Sequence, residues 1–252
     1  MGSLVNDVDR TDILENILSP EFIAANGYQL IEVTRATDNY FANLDIKASY
    51  LGIDYAYKER FKLSLGLRQE DFFQSVTTFN LFDESAPPIT VTLNDKDYYP
   101  AFSSTLFLAG DNQFRFNYSE TATRPDFKEL SPAQFKDPVL NRNVIGNPDL
   151  IAGKIKHYDL RWDKYFSAGE FVSVSLFYKQ FINPIELIIL PGSSRIISFD
   201  NAESAENLGI ELEIYKDLSF MQSFMQKFID RQFWSNIYVS ANYAYIESEI
   251  VL

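Results

Sequence analysis

YFANLDIKASY, residues 40–50, alternates apolar and polar side chains more cleanly than any other stretch of the sequence. Its even positions are apolar or aromatic, and its odd positions include Asn43, Asp45, Lys47 and Ser49. Successive side chains of a β-strand point to opposite faces, so this period of two predicts a strand with one apolar face. The apolar positions extend over roughly the 9–11 residues that a tilted strand needs to cross a bilayer. We therefore predict a membrane-crossing strand here.

The same alternation recurs along the chain. Leu63, Leu65 and Leu67 alternate with polar or small residues, and further alternating segments begin near Tyr98, Phe114, Tyr158, Val172, Leu208 and Ile237. Together these segments predict about eight strands, and residues 28–34 add a ninth candidate. Helical periodicity is confined to residues 215–237, where phenylalanines and methionines predict a short amphipathic helix.

The connections between the predicted strands alternate in length. Residues 109–112 and 167–170 are short and rich in turn formers, whereas residues 71–97, 120–156 and 182–195 are long and polar. Short turns at one end and long loops at the other are typical of a barrel in an outer membrane, with the long loops outside the cell.

The predicted fold class is therefore all-β, an antiparallel up-and-down transmembrane β-barrel. We expect a partial barrel of about eight or nine strands with long extracellular loops, over residues 28–252 and truncated at both ends. Residues 1–27 are expected to lead into it as a loop or short helix.

Composition excludes several other functions. The 35 acidic residues outnumber the 22 basic ones, and the net charge of −13 argues against nucleic-acid binding, which needs a basic surface. The chain has no cysteine and one histidine, so no thiolate or His-based metal site is predicted. No common catalytic motif occurs, and we predict no enzymatic activity and no cofactor.

Eight blocks of the sequence resemble, in order, the barrel of TonB-dependent outer-membrane receptors. They are TDNYFANLDIKASY (37–50), LSLGLRQE (63–70), SETATRPDFKELSP (119–132), GNPDL (146–150), HYDLRWDKYF (157–166), SVSLFYKQFINPIE (173–186), NAESAENLGIELEIYKDL (201–218) and SANYAYIESEI (240–250). The resemblance runs from about residue 28 to the end, and nothing in the sequence matches the plug domain that precedes the barrel in this family.

This resemblance implies a function and a set of partners. It implies an outer-membrane receptor of a Gram-negative bacterium that binds a nutrient of the siderophore, vitamin or saccharide class and imports it into the periplasm. The implied partners are the receptor's own plug domain, the TonB energy-transducing complex acting through that plug, outer-membrane lipid and lipopolysaccharide, and the small nutrient itself.

The charged residues at polar strand positions are candidates for the barrel interior. They are Asp45, Lys47, Arg68, Glu70, Arg115, Asp159, Arg161, Asp163, Glu211 and Glu213. They are interpreted either as a wall that holds the plug and lines the import path or as a ladder of cross-strand ion pairs, and the two roles are compatible. Arg124 is the loop candidate, expected to contact ligand or plug, or to pair with Asp126 or Glu129.

Two other functions share the strand pattern. A passive porin or adhesin barrel would need no plug. A soluble all-β carbohydrate-binding domain would bury the apolar face in a protein core instead of presenting it to lipid.

Overall fold

The structure, a computed structural model, describes residues 19–21, 40–79, 85–137, 141–167, 169–192, 195–221 and 236–251. The chain divides into two compact units, Met1–Arg35 and Ala36–Leu252. In the first unit only residues 19–21 are described, and Pro20 and Glu21 are helical. The strand expected at residues 28–34 and most of the helix expected within residues 215–237 lie outside the described residues. The fold below is that of the second unit.

Twelve strands and one short helix are described in the second unit. In chain order they are β1 (Tyr40–Tyr57), β2 (Phe61–Thr78), β3 (Ile89–Leu108), β4 (Asn112–Thr123), α1 (Phe127–Leu130), β5 (Gln134–Asp137), β6 (Arg142–Ile145), β7 (Gly153–Ser167), β8 (Glu170–Ile182), β9 (Ile185–Ile189), β10 (Ile197–Asn201), β11 (Ser204–Asp217) and β12 (Tyr238–Val251). A single 3-10 turn, Ser219–Met221, follows β11. None of the helices in the described part of the chain is long and apolar enough to cross a membrane.

Eight of these strands form one large sheet in the order β1-β2-β3-β4-β7-β8-β11-β12. Every neighbouring pair is antiparallel. The first and last strands, β1 and β12, are not paired with each other, so the sheet is open. The predicted antiparallel up-and-down sheet of about eight strands is confirmed.

Except for residues 218–237 between β11 and β12, the predicted alternation of short and long connections is also confirmed. At one end of the sheet, hereafter the turn end, two to three residues join β1 to β2, β3 to β4 and β7 to β8. Lys58 and Glu59 both have positive φ, as do Gly110 and Asp111, which is the backbone of hairpin turns that match the twist of the strands. At the other end, the loop end, residues 79–88, 124–152 and 183–203 join the strands.

The long connections are not simple loops, contrary to expectation. Residues 71–78 and 89–97 continue β2 and β3 as one extended hairpin. The other two connections contribute the loop sheet, a second sheet in the order β5-β6-β10-β9, in which β6 and β10 run parallel. Its strands have four or five residues each, too few for a period of two to stand out in the sequence.

The large sheet has one apolar face and one polar face. Directly opposed residues share a face, so the pairings place Ile53, Leu65 and Phe102 on the same side. On that apolar face, apolar side chains form a band at residues 51–57, 61–67, 100–108, 114–118, 158–162, 172–178, 208–214 and 239–245. Many of them are exposed, including Ile53 at 62% and Leu65 at 44%. This apolar band is therefore not covered by the rest of the described chain.

Polar residues and tyrosines bound the apolar band. On the apolar face, Lys156 and Glu206 lie beyond it towards the loop end, and Lys164 and Lys216 lie beyond it towards the turn end. At its loop-end margin three tyrosine rings form a row: the centroids of Tyr118 and Tyr158 are 4.9 Å apart and those of Tyr158 and Tyr178 5.9 Å apart. A tyrosine row at the edge of an apolar band is the arrangement found at membrane interfaces.

The pairing of β1 with β2 corrects the interpretation of residues 40–50. Leu44 lies opposite Gln74, whereas Leu65 lies opposite Ile53. The even positions of β1 therefore share the polar face, and its part of the apolar band is residues 51–57. Residues 40–50 pair with 68–78, beyond the band at the loop end.

Candidate functional site

The structure divides the ten interior candidates into two groups. The polar face carries Arg68, Glu70, Arg115, Asp159, Arg161, Asp163, Glu211 and Glu213. Asp45 and Lys47 lie on the opposite face, because they pair with Phe73 and Asp71 of β2 and Arg68 and Glu70 point the other way. The expectation that these two residues face the interior with the others is wrong.

Asp163 organises a charge cluster on the polar face near the turn end. Its carboxylate accepts a hydrogen bond of 2.7 Å from Arg115 Nη2 and another of 2.7 Å from Arg161 Nε. Gln113 donates a third, at 3.1 Å, and Arg161 also reaches Glu213 at 3.4 Å. The Asp163 side chain has no exposed surface, while the side chains of Arg115 and Arg161 are about one third exposed. Its residues come from β4, β7 and β11, so the cluster has the form of the ladder of cross-strand ion pairs that was one of the two interpretations of these charges.

A second cluster lies on the polar face beyond the apolar band, at the loop end. Glu70 of β2 accepts a hydrogen bond of 2.6 Å from Arg68 Nε and another from Arg124, which follows β4. Arg124 also donates to the Tyr99 hydroxyl at 3.4 Å, and its guanidinium lies 4.5 Å from the Phe72 ring centroid. Burial alone raises the pKa of Glu70, but the hydrogen bonds from the two arginines outweigh it and hold that pKa below its ordinary value.

The partner expected for Arg124 is wrong. Asp126 and Glu129 do not pair with it and instead form the capping box of α1, in which each side chain bonds to a backbone N–H at the start of the helix. The carboxylate that Arg124 does bind, Glu70, is 54 residues away in the sequence. No local pattern in the sequence could have indicated this pair.

Lys154 forms an ion-pair group that the sequence did not single out. Its ammonium lies 2.7 Å from Asp97 and 3.5 Å from Glu120. Burial raises the pKa of Asp97, but the hydrogen bonds from Lys154 and from the Tyr98 backbone lower it by more, so the net pKa is below the ordinary value. Burial lowers the pKa of Lys154, but its hydrogen bonds and ion pairs with the two carboxylates raise it by more, so the net pKa is above the ordinary value. The sequence around Lys154 does not indicate which strands meet there.

The polar face also carries a groove and an aromatic row. The groove has a volume of about 450 Å³ and is lined by Asp159, Arg161, Lys179 and Glu211 among others. At the turn end, rings from four neighbouring strands follow one another at centroid distances of 6.1, 6.5 and 5.5 Å, namely Tyr165, Phe171, Tyr215 and Tyr238. The sequence analysis missed this row because its members lie in different strands and are not adjacent in the chain.

Chemically, the polar face presents paired charges and hydrogen-bonding groups to whatever lies against it. Among the described residues no group of three or more His, Asp or Glu side chains could hold a metal ion. The arrangement can bind a polar polypeptide surface or a polar solute, since it offers both donors and acceptors over several strands.

Comparison with known families gives a match over nearly the whole chain. Residues 10–251 match the family model described as TonB dependent receptor-like, beta-barrel. A comparison with curated proteins found no match.

Solved structures with a similar fold include two receptors and one transporter. The siderophore receptor PiuA from Acinetobacter baumannii is 17% identical with a TM-score of 0.56, over 84% of this chain and 26% of that one. The copper transporter OprC is 16% identical with a TM-score of 0.58, over 82% and 29%. The hemophore receptor HasR of Serratia marcescens, solved with its hemophore and heme, is 13% identical with a TM-score of 0.57, over 71% and 32%. The chain spans less than a third of each, and at these identities the likeness concerns the fold alone.

Proposed function

Because this chain belongs to the TonB-dependent receptor-like β-barrel family, we propose that it supplies part of the barrel wall and the extracellular loops of an outer-membrane nutrient receptor. In this proposal the whole receptor binds its nutrient at the loop end and imports it into the periplasm. The described chain contributes binding and enclosure, and no chemical step is assigned to it.

The observation that carries the proposal is the division of the large sheet into two faces. The apolar band is exposed, ends in a tyrosine row and is bounded by charges on both sides, which suits the hydrocarbon layer of a bilayer. The opposite face carries the Asp163 cluster and the groove, which suit a polar interior. Three long connections at the loop end, against three short turns and one long connection (residues 218–237) at the turn end, suit an outer-membrane orientation with the loop sheet outside the cell.

For the polar face we propose contact with the receptor's own plug domain. Paired charges such as Arg161 with Asp163 and Glu213 neutralise one another but leave hydrogen-bonding capacity towards the interior. The groove lined by Asp159, Lys179 and Glu211 offers both charge signs to such a surface. Through the plug, the receptor would depend on the TonB energy-transducing complex, and its outer surface would meet lipid and lipopolysaccharide.

The cargo class is proposed only as siderophore, vitamin or saccharide. The similar structures include a siderophore receptor, a copper transporter and a hemophore receptor, so one wall architecture serves different cargoes. The residues that distinguish cargoes would then lie in the loop-end connections and not in the apolar band.

Nutrient uptake tests the import proposal. A strain lacking the gene should lose growth on one class from a panel of ferric siderophores, cobalamin and oligosaccharides supplied as the limiting nutrient. The same loss should occur when the gene is present but the energy-transducing complex is deleted. Uptake that persists without that complex would instead indicate a passive channel.

Fluorescence quenching tests the lipid-facing assignment independently. Tryptophan replaces Leu65 on the apolar face or its neighbour Ser64 on the polar face, and the full-length receptor is placed in vesicles of brominated lipid. Quenching is expected for Leu65→Trp and not for the matched Ser64→Trp control. An unquenched indole at position 65 would contradict a lipid-facing band.

A further inference from the structure

The polar face of β2 is covered where the strand passes beyond the apolar band. Glu70, Phe72, Gln74, Val76 and Thr78 alternate along this face, and each is no more than 9% exposed. Their neighbours on the other face are not covered, since Asp71 is exposed and Phe73 is 39% exposed. Another part of the chain therefore packs against the polar face of β2, and its opposite face is left uncovered.

The covering body consists of α1, the loop sheet and the segments that join them. Val76 of β2 packs in a small core with Leu130 and Leu150, and Phe127 and Phe199 pack against that core. The Gln74 side-chain amide donates to the Pro125 carbonyl at 3.0 Å. This end of the polar face is thus closed by the long connections and not by the large sheet itself.

The covering body is tied together internally. Asn147 Nδ2 donates to the Phe199 carbonyl at 3.0 Å, linking the connection after β4 to the connection after β8. Asn201 Nδ2 donates to the Asn183 carbonyl at 2.8 Å, and its Oδ1 accepts from Ile151 N at 2.9 Å. A Cβ at Gly146 would lie 2.2 Å from the Ser131 carbonyl oxygen, so the chains approach too closely there for any other residue. These contacts hold the covering body together as one unit.

Arg124 forms the ion pair between this body and β2. It stands three residues before the first residue of α1, bonds to Glu70 and lies over Phe72, so one side chain contacts two adjacent positions of the covered face. Only 22% of the Arg124 side chain and 11% of the Glu70 side chain are exposed. A charged pair shielded to this degree is screened little by salt, and removal of one partner leaves the other poorly compensated.

We propose that Arg124 is a positioning residue that holds the loop sheet closed over the polar face, so that breaking its link to Glu70 releases the loop sheet from β2. The inference rests on the proposed function, because it assigns control of ligand access at the loop end to this link. It adds a moving part, the loop sheet, and names the contact that fixes its closed position.

A distance measurement tests the proposal in the full-length receptor. This chain contains no cysteine, so cysteines at the exposed positions Asp71 on β2 and Lys136 on β5 can carry nitroxide labels. Pulsed electron-electron resonance then reports the distribution of distances between the hairpin and the loop sheet. Arg124→Gln is expected to broaden that distribution and add longer distances, and Arg124→Lys, which keeps the charge but loses the planar fork, to fall between Arg124→Gln and the parent.

The control removes a comparable guanidinium that does not touch the loop sheet. Arg161 lies on the same face, binds carboxylates and is 33% exposed, and Arg161→Gln should leave the distribution unchanged. Glu70→Gln breaks the same link from the β2 side and should broaden the distance distribution as Arg124→Gln does. It also keeps the proposal testable if the Arg124→Gln receptor does not fold. Parent-like distributions in the link variants, or equal broadening in Arg161→Gln, would overturn the proposal.

The measurement needs neither ligand nor energy coupling. A negative result would therefore refute the positioning role while leaving nutrient import untouched. A receptor that fails the uptake test could still show the closed loop sheet.

Discussion

At the scale of single residues, Asp163 is a carboxylate with no exposed surface on a face that is otherwise polar and accessible. Arg115, Arg161 and Gln113 supply hydrogen bonds that compensate its removal from water. A buried charge is tolerated when such partners surround it, and removal of the charge leaves the partners facing each other. The cluster thus joins β4 to β7 and resists separation of these strands.

Asp163→Ala should destabilise the folded barrel by about 3 kcal/mol. The value lies at the low end for buried pairs because both arginine side chains are about one third exposed. The matched control is Asp159→Ala on the same strand and face. The Asp159 carboxylate forms no ion pair within 4.0 Å among the described residues, so its removal should cost less than about 1 kcal/mol of folding free energy. Denaturant unfolding of refolded receptor measures both, and equal costs would contradict the role of the cluster.

The Glu70 link should also make stability depend on pH. Its folded pKa lies below the ordinary 4.5, so the ionised form stabilises the fold at neutral pH, and this contribution is lost as the pH falls through the depressed pKa. Arg68, Arg124, Tyr99, Asp97 and Lys154 are the ionisable groups around it.

Unfolding of the parent and of Glu70→Gln should be compared from pH 7 down to pH 3. The parent's advantage in unfolding free energy should stay constant above about pH 5 and shrink below it. An advantage that grows on acidification would be inconsistent with a depressed pKa.

At the scale of elements, β1 is long enough to lie partly within the apolar band and partly beyond it at the loop end. Its residues 51–57 pair with the apolar band of β2, and residues 40–50 pair with the part of β2 beyond the band. The strand therefore changes surroundings midway while its alternation continues, with the apolar side chains switching from even to odd positions. This is why the cleanest alternation in the sequence does not mark the membrane-facing part.

Arginine substitution distinguishes the two halves of β1. Ile53→Arg places a charge on the apolar band and should cost about 2–4 kcal/mol if position 53 lies near the bilayer centre. Leu44→Arg lies beyond the band on the polar face and should cost clearly less. Unfolding from lipid vesicles measures both changes, and a larger cost at position 44 would restore the original assignment of faces.

Labelling of intact cells tests which end of the strands is outside. A cysteine at Lys136 in the loop sheet should react with a membrane-impermeant thiol reagent, whereas one at Asp111 in the turn between β3 and β4 should react only after the outer membrane is permeabilised. Reaction at position 111 alone would invert the proposed orientation.

At the scale of the whole molecule, β1 and β12 are the edge strands of the large sheet, and among the described residues each pairs on one side only. All residues of β1 and β12 are exposed, including apolar ones such as Leu51, Ile53 and Tyr243. Unpaired strand edges with apolar side chains favour association with other chains. In water the apolar band would add a second surface of this kind.

Residues 1–252 expressed alone should therefore aggregate in buffer and require detergent for dispersal. Size-exclusion chromatography with and without detergent measures this. A monodisperse monomer in plain buffer with a cooperative thermal transition would contradict the membrane-facing assignment of the band.

The sequence by itself determined the strand class, the approximate strand number and the alternation of short and long connections. These follow from local chemistry, because a period of two and turn-forming residues act over two to ten neighbouring positions. Eight of the ten interior candidates share one face for the same reason, because in their strands the alternation in the sequence also separates the two faces of the sheet.

Only the tertiary structure decided the register of β1, the loop sheet and the partner of Arg124. A strand with alternating residues fixes which side chains share a face, but pairing with its neighbour decides which face meets lipid. Asp45 and Lys47 were misplaced for that reason. The Glu70–Arg124 pair and the four-stranded loop sheet join segments separated by tens of residues, and such contacts depend on how the long connections pack, which no local pattern encodes.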